Sequence, residues 1–304
     1  MASTSSPADD LAIPGVAAWA ALLAGNAALA LGPLFVRLAD TGPVSAGFWR
    51  LLLALPVLAG LAIWERRGGA AFPSRRDALL LAGAGVFFAL DLASWHLGIE
   101  RTRLANATLF GNAGSVLLMA WGLIRLRRRP GASEALAVLA ALGGAGLLLA
   151  RSLEIDRAYF VGDLFCILAG VLYTFYILGA QDARVRLGHG TVLTVASAAG
   201  APVLLGVALA LGEPVWPSDW TPVLLLALSS QIVGQGLLVY ALRAFPPLIV
   251  GMALLTQPAI AAVVGLAVFD ERLALPDVAG MILVGGALVL ARGSGRVRTG
   301  KPVT

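Results

Sequence analysis

The sequence predicts an all-α membrane protein with ten transmembrane helices, arranged as two inverted five-helix repeats around a central cavity. Three observations support this prediction: the composition, the spacing of the apolar segments and an internal repeat. Of the 304 residues, 59% are hydrophobic and 13% are charged, and the mean hydropathy is +0.87. Soluble domains carry about 25% charged residues. A soluble chain of this length also lacks the polar surface needed to cover so large a core.

Ten apolar segments have the length of about 20 residues that a membrane helix needs. We label them α1 to α10, and they cover residues 14–36, 44–64, 78–98, 104–124, 132–150, 160–181, 190–211, 221–242, 246–269 and 276–291. The links between them are short and hold most of the charge, so no soluble domain is expected there. Residues 1–13 are predicted to be a disordered lead-in, because Asp9 and Asp10 stand where a signal peptide has basic residues.

The basic residues predict the orientation. With the N-terminus inside, the inner segments hold 15 Lys and Arg residues and the outer loops hold six. The positive-inside rule then places both termini in the cytoplasm, with residues 293–304 as a cytoplasmic tail. The net charge of +5 follows from these loops, and no basic face with interleaved aromatic residues indicates a nucleic-acid partner.

The chain repeats itself once. The sequence GGAGLLLAR ends α5, and the similar GGALVLAR ends α10. Each follows an apolar helix with polar interruptions and a charged turn, which divides the chain into repeats at 14–150 and 151–292. An odd number of helices per repeat inserts the second repeat upside down, and inverted repeats are typical of transporters with a substrate site at the midplane. Small residues four apart, such as Ala196 and Gly200, are expected at helix contacts.

Residues 91–112, DLASWHLGIERTRLANATLFGN, carry an unusual number of polar groups across α3 and α4. Such groups are costly in an apolar helix and are kept there for a function or paired with each other. Phe88, Asp91 and Trp95 share one face of α3 at three- and four-residue spacing. Asp91 is interpreted either as the acceptor of a substrate ammonium or a proton, or as an acid bonded to a neighbouring helix. His96 is expected to be a hydrogen-bonded structural residue rather than a proton relay.

Other helices offer further polar and aromatic residues. On α4, Asn106 and Phe110 share one face, and Thr108, Asn112 and Ser115 share an adjoining one. The alternative to cavity lining is interhelical hydrogen bonding, worth about 0.6–2 kcal/mol per bond. The predicted substrate-binding residues are Phe88, Asp91, Trp95, Asn106, Phe110, Asn112, Tyr173, Tyr176, Gln231 and Gln235. Arg50 is instead expected to extend outward to the membrane surface from the outer end of α2.

The sequence lacks the residues that several functional classes require. Cys166 is the single cysteine, so no intrachain disulfide forms, and two histidines make a histidine metal site unexpected. The one lysine is Lys301, which leaves no P-loop lysine for an ATPase. No second activated group accompanies Asp91 or His96, so we expect no catalytic residues and no cofactor. A membrane enzyme or a non-transporting scaffold is the alternative of a different class.

The last two helices resemble a known family. Residues 245–291 have a proline in the penultimate helix (Pro258), an acid at its end (Glu271) and then a Gly-rich helix. This is similar to the end of the second repeat of EamA-type ten-helix exporters, in the drug/metabolite transporter superfamily. The first repeat departs from that pattern, with Ser115 for the proline and Arg128 for the acid. Residues 91–112 resemble one branch of the family, the bacterial exporters of aromatic amino acids and metabolites, and the resemblance covers about 14–292.

The resemblance implies a cavity between inverted halves that opens alternately to either side of a bacterial inner membrane. It also implies a secondary transporter that exports small metabolites, amino acids including aromatic ones among them, with no ATPase subunit. In this interpretation Asp91 meets the amine, and Asn106, Asn112, Gln231 and Gln235 bond the carboxylate. The alternative of the same class is a proton-coupled exporter of cationic drugs that uses Asp91. The expected partners are the small-molecule substrate and the lipid bilayer, and the sequence specifies no oligomeric state.

Overall fold

A computed structural model describes residues 15–111, 156–245, 247–254 and 257–271, with isolated positions between 114 and 147 and between 274 and 286. All regular elements in these ranges are helical. Six segments are long and apolar enough to cross a membrane: Val16–Leu38, Pro43–Arg67, Arg75–Ile99, Arg157–Arg184, His189–Ala210 and Thr221–Ala241. They match the predicted α1, α2, α3, α6, α7 and α8. The count of ten helices stays a prediction.

The helix bounds differ from the predicted ones mainly by splitting and by extension at the ends. Helix α1 consists of Val16–Ala30 and Gly32–Leu38, α2 of Pro43–Arg67, α3 of Arg75–Ile99, and α4 begins with Leu104–Gly111. Helix α6 covers Arg157–Arg184 and α7 covers His189–Ala210. Helix α8 consists of Thr221–Leu226, the π-helical segment Ala227–Gln235 and Gly236–Ala241. Helix α9 consists of Pro247–Leu254 and Gln257–Phe269. Only isolated helical positions of α5 and α10 are described, and the predicted lead-in and tail lie outside the described residues.

Local signals in the sequence explain several of these boundaries. Pro33 lies in the first turn of the second piece of α1, where its missing N–H accounts for the interruption at Leu31. Helix α3 begins with a capping box, in which the Ser74 hydroxyl accepts from the Asp77 amide at 3.1 Å and the Asp77 carboxylate accepts from the Ser74 amide at 3.3 Å. Asp156 caps α6 by accepting from the Ala158 amide at 2.7 Å.

The first helices of the two halves run in opposite directions. Arg37, at the end of α1, donates to the carbonyl of Ile99 at 3.1 and 3.2 Å and also to the carbonyl of Thr102. Asp163, near the start of α6, accepts from the Thr102 hydroxyl at 2.5 Å. The end of α1 and the start of α6 therefore lie at the same end of the bundle. We call it the Glu271 end, because Arg37 also pairs there with Glu271.

Helices α2 and α7 cap each other at opposite ends of the bundle. Glu213, just after α7, accepts from the Ser45 amide at 2.8 Å and from the preceding amide at 3.3 Å. Glu65, in the last turn of α2, accepts from the Gly190 amide at 3.0 Å and from the preceding amide at 3.1 Å. A carboxylate at a helix N-terminus satisfies unpaired N–H groups and interacts favourably with the helix dipole. The two caps are related as a two-fold axis between inverted halves requires.

The contacts between the helices show the same two-fold relationship. Helix α3 packs on α6 and α7, and its counterpart α8 packs on α1 and α2. Helix α4 contacts α6 and α9, and α9 in turn contacts α1. If α1, α2, α3 and α4 are exchanged with α6, α7, α8 and α9 in that order, each of these contacts becomes another contact of the same set. The described helices are therefore arranged about a pseudo-two-fold axis, with the two halves in contact along it.

Candidate functional site

A cavity lies between the two halves. Helices α1, α2, α3 and α4 contribute from the first half, and α6, α8 and α9 from the second. The lining residues are Leu29, Arg50, Phe88, Asp91, Leu92, Trp95, Thr108, Gly111, Tyr173, Gln235, Leu254 and Gln257. Because both halves supply part of the lining, neither half forms this cavity alone.

Helix α3 contributes the most residues to the lining. Phe88, Asp91 and Trp95, which the helical spacing places on one face, all line the cavity. The Trp95 indole donates to the carbonyl of Ala107 at 3.1 Å, which fixes the ring and joins α3 to α4. The face of α3 therefore presents two aromatic rings and a carboxylate together, while their binding of a substrate stays a prediction.

The two tyrosines of α6 have different positions. Tyr173 lines the cavity, whereas Tyr176 is fully buried behind it and stacks on Phe88 with ring centroids 4.3 Å apart. Both hydroxyls bond to Gln235: its amide donates to the Tyr173 hydroxyl at 3.0 Å, and the Tyr176 hydroxyl donates to its carbonyl at 3.4 Å. Gln235 thus reaches the cavity as a residue held by both tyrosines, and Tyr176 supports the aromatic lining from behind.

The expectation that Arg50 extends to the membrane surface is wrong. Arg50 is only 1% exposed and lines the cavity. Its Nε donates to the side-chain oxygen Oε1 of Gln231 at 3.1 Å. The segment that follows α7 covers the start of α2, and the Trp49 indole donates to the carbonyl of Val215 in it at 2.7 Å. Since protein encloses this end of α2, the charged side chain turns inward to the cavity.

Arg50 and Asp91 face the same cavity with unfilled hydrogen-bonding capacity. Arg50 Nη1 is buried and has no partner in the described part of the chain. Asp91 is 7% exposed, and among the described residues its carboxylate has an electrostatic interaction with Arg50 but neither a hydrogen bond nor a close ion pair. Buried charges are costly unless they are paired, so this pair of separated opposite charges needs an explanation.

Helix α4 presents one of its two predicted polar faces to the cavity. Thr108 and Gly111 line the cavity, whereas Asn106 and Phe110 are buried outside the lining. Both faces carry polar residues, so the helical period alone does not choose between them. Asn112 lies outside the described residues.

The two predicted glutamines both lie in the π-helical segment of α8 but have different partners. Gln231 is buried outside the lining, where it bonds Arg50 and donates to the Ser197 hydroxyl at 3.1 Å. Gln235, one turn later, faces α6 and the cavity. π-Helical turns widen the helix and occur often at functional sites. Gln231 therefore positions Arg50 instead of lining the cavity itself.

The structure adds Gln257 to the lining and leaves His96 out of it. The Gln257 side-chain amide donates to the side-chain oxygen Oδ1 of Asn26 at 2.8 Å, and this bond joins α9 to α1 beside the cavity. The sequence signal for Gln257 is a polar side chain within an otherwise apolar helix. His96 is buried with Nδ1 2.7 Å from the Pro43 carbonyl oxygen, a contact between α3 and α2. Within the described ranges no group of three or more metal-ligating residues is found.

Comparisons with known proteins agree with this architecture. Residues 16–150 and 160–293 each match the EamA-like transporter family. An uncharacterized transporter of Archaeoglobus fulgidus is 28% identical over 203 residues, which cover 64% of this chain and 68% of that protein. A protein of known crystal structure, 16% identical, superimposes with a TM-score of 0.66 over 94% of this chain and 98% of its own, and shows the fold alone.

The matches confirm the predicted family and point to a membrane transporter rather than an enzyme. The two family matches divide the chain between its two sets of helices, as the internal repeat predicted. With one repeat of the family in each half, this chain belongs to the EamA-like transporter family.

Proposed function

We propose that this chain is a secondary transporter that exports small amphipathic metabolites, most of all amino acids including aromatic ones, across a bacterial inner membrane. The observation that carries the proposal is the cavity between the inverted halves, which combines aromatic rings with the Asp91 carboxylate. Ligand sites of inverted-repeat transporters lie at such an interface. Binding cavities are typically apolar with a few placed polar groups.

The chemistry of the lining supports an amino acid over the cationic-drug alternative. Phe88, Trp95 and Tyr173 offer flat apolar surfaces that suit an aromatic side chain. Asp91 supplies a negative charge for an ammonium group. Arg50 lines the same cavity and repels a ligand that carries only positive charge. A proton-coupled exporter of cations is therefore the weaker candidate.

Contacts at the Glu271 end support transport by alternating access. The Arg37 guanidinium pairs with the Glu271 carboxylate at 2.5 Å, which joins α1 of the first half to α9 of the second. Glu271 also accepts at 2.9 Å from the amide of Leu104, which is the first residue of α4. By the positive-inside rule this end faces away from the cytoplasm. Opening the cavity there requires the halves to rock apart and these bonds to break.

Efflux from proteoliposomes tests the proposal. Vesicles that contain the purified chain and radiolabelled phenylalanine, tryptophan or leucine are expected to lose label faster than protein-free vesicles. The efflux should saturate and should not require ATP. Absence of protein-dependent flux for all three amino acids would contradict the proposal. Efflux of a cationic dye that depends on a pH gradient, without amino-acid flux, would instead establish the alternative.

A further inference from the structure

We propose that Arg50 is the carboxylate-binding residue of the cavity, and that Arg50 and Asp91 together form a dipolar site selective for zwitterionic amino acids. The inference rests on the proposed function and names the chemical class of ligand that its cavity takes. It replaces the amide side chains, which the sequence offered as carboxylate ligands, with a charged one. A molecule that carries only one charge is expected to bind more weakly.

The bonding of Arg50 leaves donors for a ligand. A guanidinium has five N–H donors in a rigid fork that matches a carboxylate. Nε donates to the side-chain oxygen of Gln231 at 3.1 Å, and the buried Nη1 has no acceptor among the described residues. Gln231 is held in turn by the Ser197 hydroxyl at 3.1 Å. Arg50 is therefore fixed on one edge and unsatisfied on the other, which is the arrangement of a side chain prepared for a ligand.

Asp91 meets the complementary condition across the same cavity. Its carboxylate is buried and lacks a hydrogen-bond partner among the described residues, although it interacts electrostatically with Arg50. The two groups do not form a direct ion pair within the described part of the chain, and both line the cavity. An α-ammonium at Asp91 and an α-carboxylate at Arg50 would satisfy both charges at once.

Other charged groups of the described bundle show that partners are the rule here. Arg37 pairs with Glu271 at 2.5 Å, and the buried Asp163 accepts from Thr102 at 2.5 Å. The largely buried Arg184 donates to the backbone carbonyl of Val239 at 3.0 Å. Against this background the unfilled capacity of both Arg50 and Asp91, at one cavity, points to a ligand with two opposite charges.

Selectivity follows from the charge that each incomplete ligand leaves unpaired. An amine without a carboxylate would neutralise Asp91 and leave the buried Arg50 charge without a partner. An acid without an amine would do the reverse. In both cases the remaining buried charge lowers the affinity, because unpaired charges at this depth are costly. The zwitterion alone leaves the cavity electrically neutral and fully bonded.

Calorimetric titration of the purified full-length chain with three related probes tests the dipolar site. The probes are phenylalanine, phenethylamine and 3-phenylpropionate, which share the phenyl ring and differ in their charges. Wild-type protein is expected to bind phenylalanine roughly 10- to 100-fold more tightly than either other probe, because each lost charged hydrogen-bonding partner costs about that factor. Arg50→Gln should abolish the preference over phenethylamine, and Asp91→Asn the preference over 3-phenylpropionate.

Arg184→Gln is the matched control, since it removes a largely buried arginine that does not line the cavity. It is expected to leave the ratio of phenylalanine to phenethylamine affinity unchanged. If Arg50→Gln does not fold, Arg50→Lys serves in its place. Lysine keeps a charge but lacks the fork, so the ratio should fall several-fold, and an unchanged ratio would overturn the assignment.

Two further outcomes separate this inference from the proposed function. Equal weakening of all three probes by Arg50→Gln, or equal affinities of the wild type for them, would overturn the dipolar site. Amino-acid efflux observed beside either result would leave the proposed function standing. If the wild type binds none of the probes and no amino acid is transported, both proposals fail together.

Discussion

Asp91→Asn is expected to reduce phenylalanine efflux roughly 10- to 100-fold, the factor that corresponds to one lost charge-assisted hydrogen bond. The melting temperature of the protein should change little. The reason is that no described residue bonds the Asp91 carboxylate, so the isosteric amide removes no hydrogen bond, and the relief of one buried charge is offset by the loss of its electrostatic interaction with Arg50. Efflux from proteoliposomes and thermal unfolding of the same preparation measure the two effects.

Asp163→Asn provides the control for this prediction, because Asp163 is buried but bonded by the Thr102 hydroxyl at 2.5 Å and lies outside the cavity lining. This variant is expected to lower the melting temperature and to leave efflux per folded protein unchanged. Should Asp91→Asn lower the melting temperature as much and keep full efflux, Asp91 would be a structural acid, the other interpretation that its sequence position allows.

Gly85→Ala is expected to be the most destabilising of the single substitutions considered. A Cβ atom at Gly85 would lie 2.4 Å from the carbonyl oxygen of Ala196 and 2.8 Å from its Cα. These are backbone atoms of α7, so they cannot rotate away, and α3 and α7 must move apart. Overpacking of this kind costs about 1–3 kcal/mol. The melting temperature in detergent should fall, and the α3 side of the cavity should shift with it.

Gly83→Ala is the matched control on the same helix. A Cβ atom at Gly83 would have nothing within 4 Å. Alanine there is expected to stabilise the helix by about 0.5–1 kcal/mol, because glycine loses more backbone entropy on folding. Equal melting temperatures of the two variants would show that α3 and α7 do not approach as closely as the structure indicates.

Much of the fold is determined by patterns that lie within single segments. The apolar runs locate the membrane helices, since backbone groups in lipid must be bonded within a helix. Three- and four-residue spacing placed Phe88, Asp91 and Trp95 on one face of α3, and the structure brings all three to the cavity. The small pair of Ala196 and Gly200 indeed packs closely, with Gly85 opposite it.

The residues that were misjudged depend on contacts between distant segments. The inward orientation of Arg50 follows from coverage of α2 by the segment after α7, through the bond of 2.7 Å between Trp49 and Val215. The different positions of Gln231 and Gln235 follow from their partners, because Gln231 bonds Arg50 and Ser197 whereas Gln235 bonds the two tyrosines of α6. Neither feature has a local signal, so the helical period alone predicts neither of them.

Substrate protection of a cysteine in the cavity tests the central claim, that the cavity between the halves is the substrate site. In a Cys166→Ala background, Thr108→Cys places one thiol in the lining, and Val185→Cys places one on an exposed turn outside it. The rate of modification by a methanethiosulfonate reagent is then measured with and without phenylalanine.

Phenylalanine is expected to slow the modification of Thr108→Cys several-fold and to leave that of Val185→Cys unchanged. Protection should follow the same concentration dependence as efflux, because both report occupation of one site. Efflux of phenylalanine without any protection of Thr108→Cys would contradict the claim and would place the transport route elsewhere in the protein.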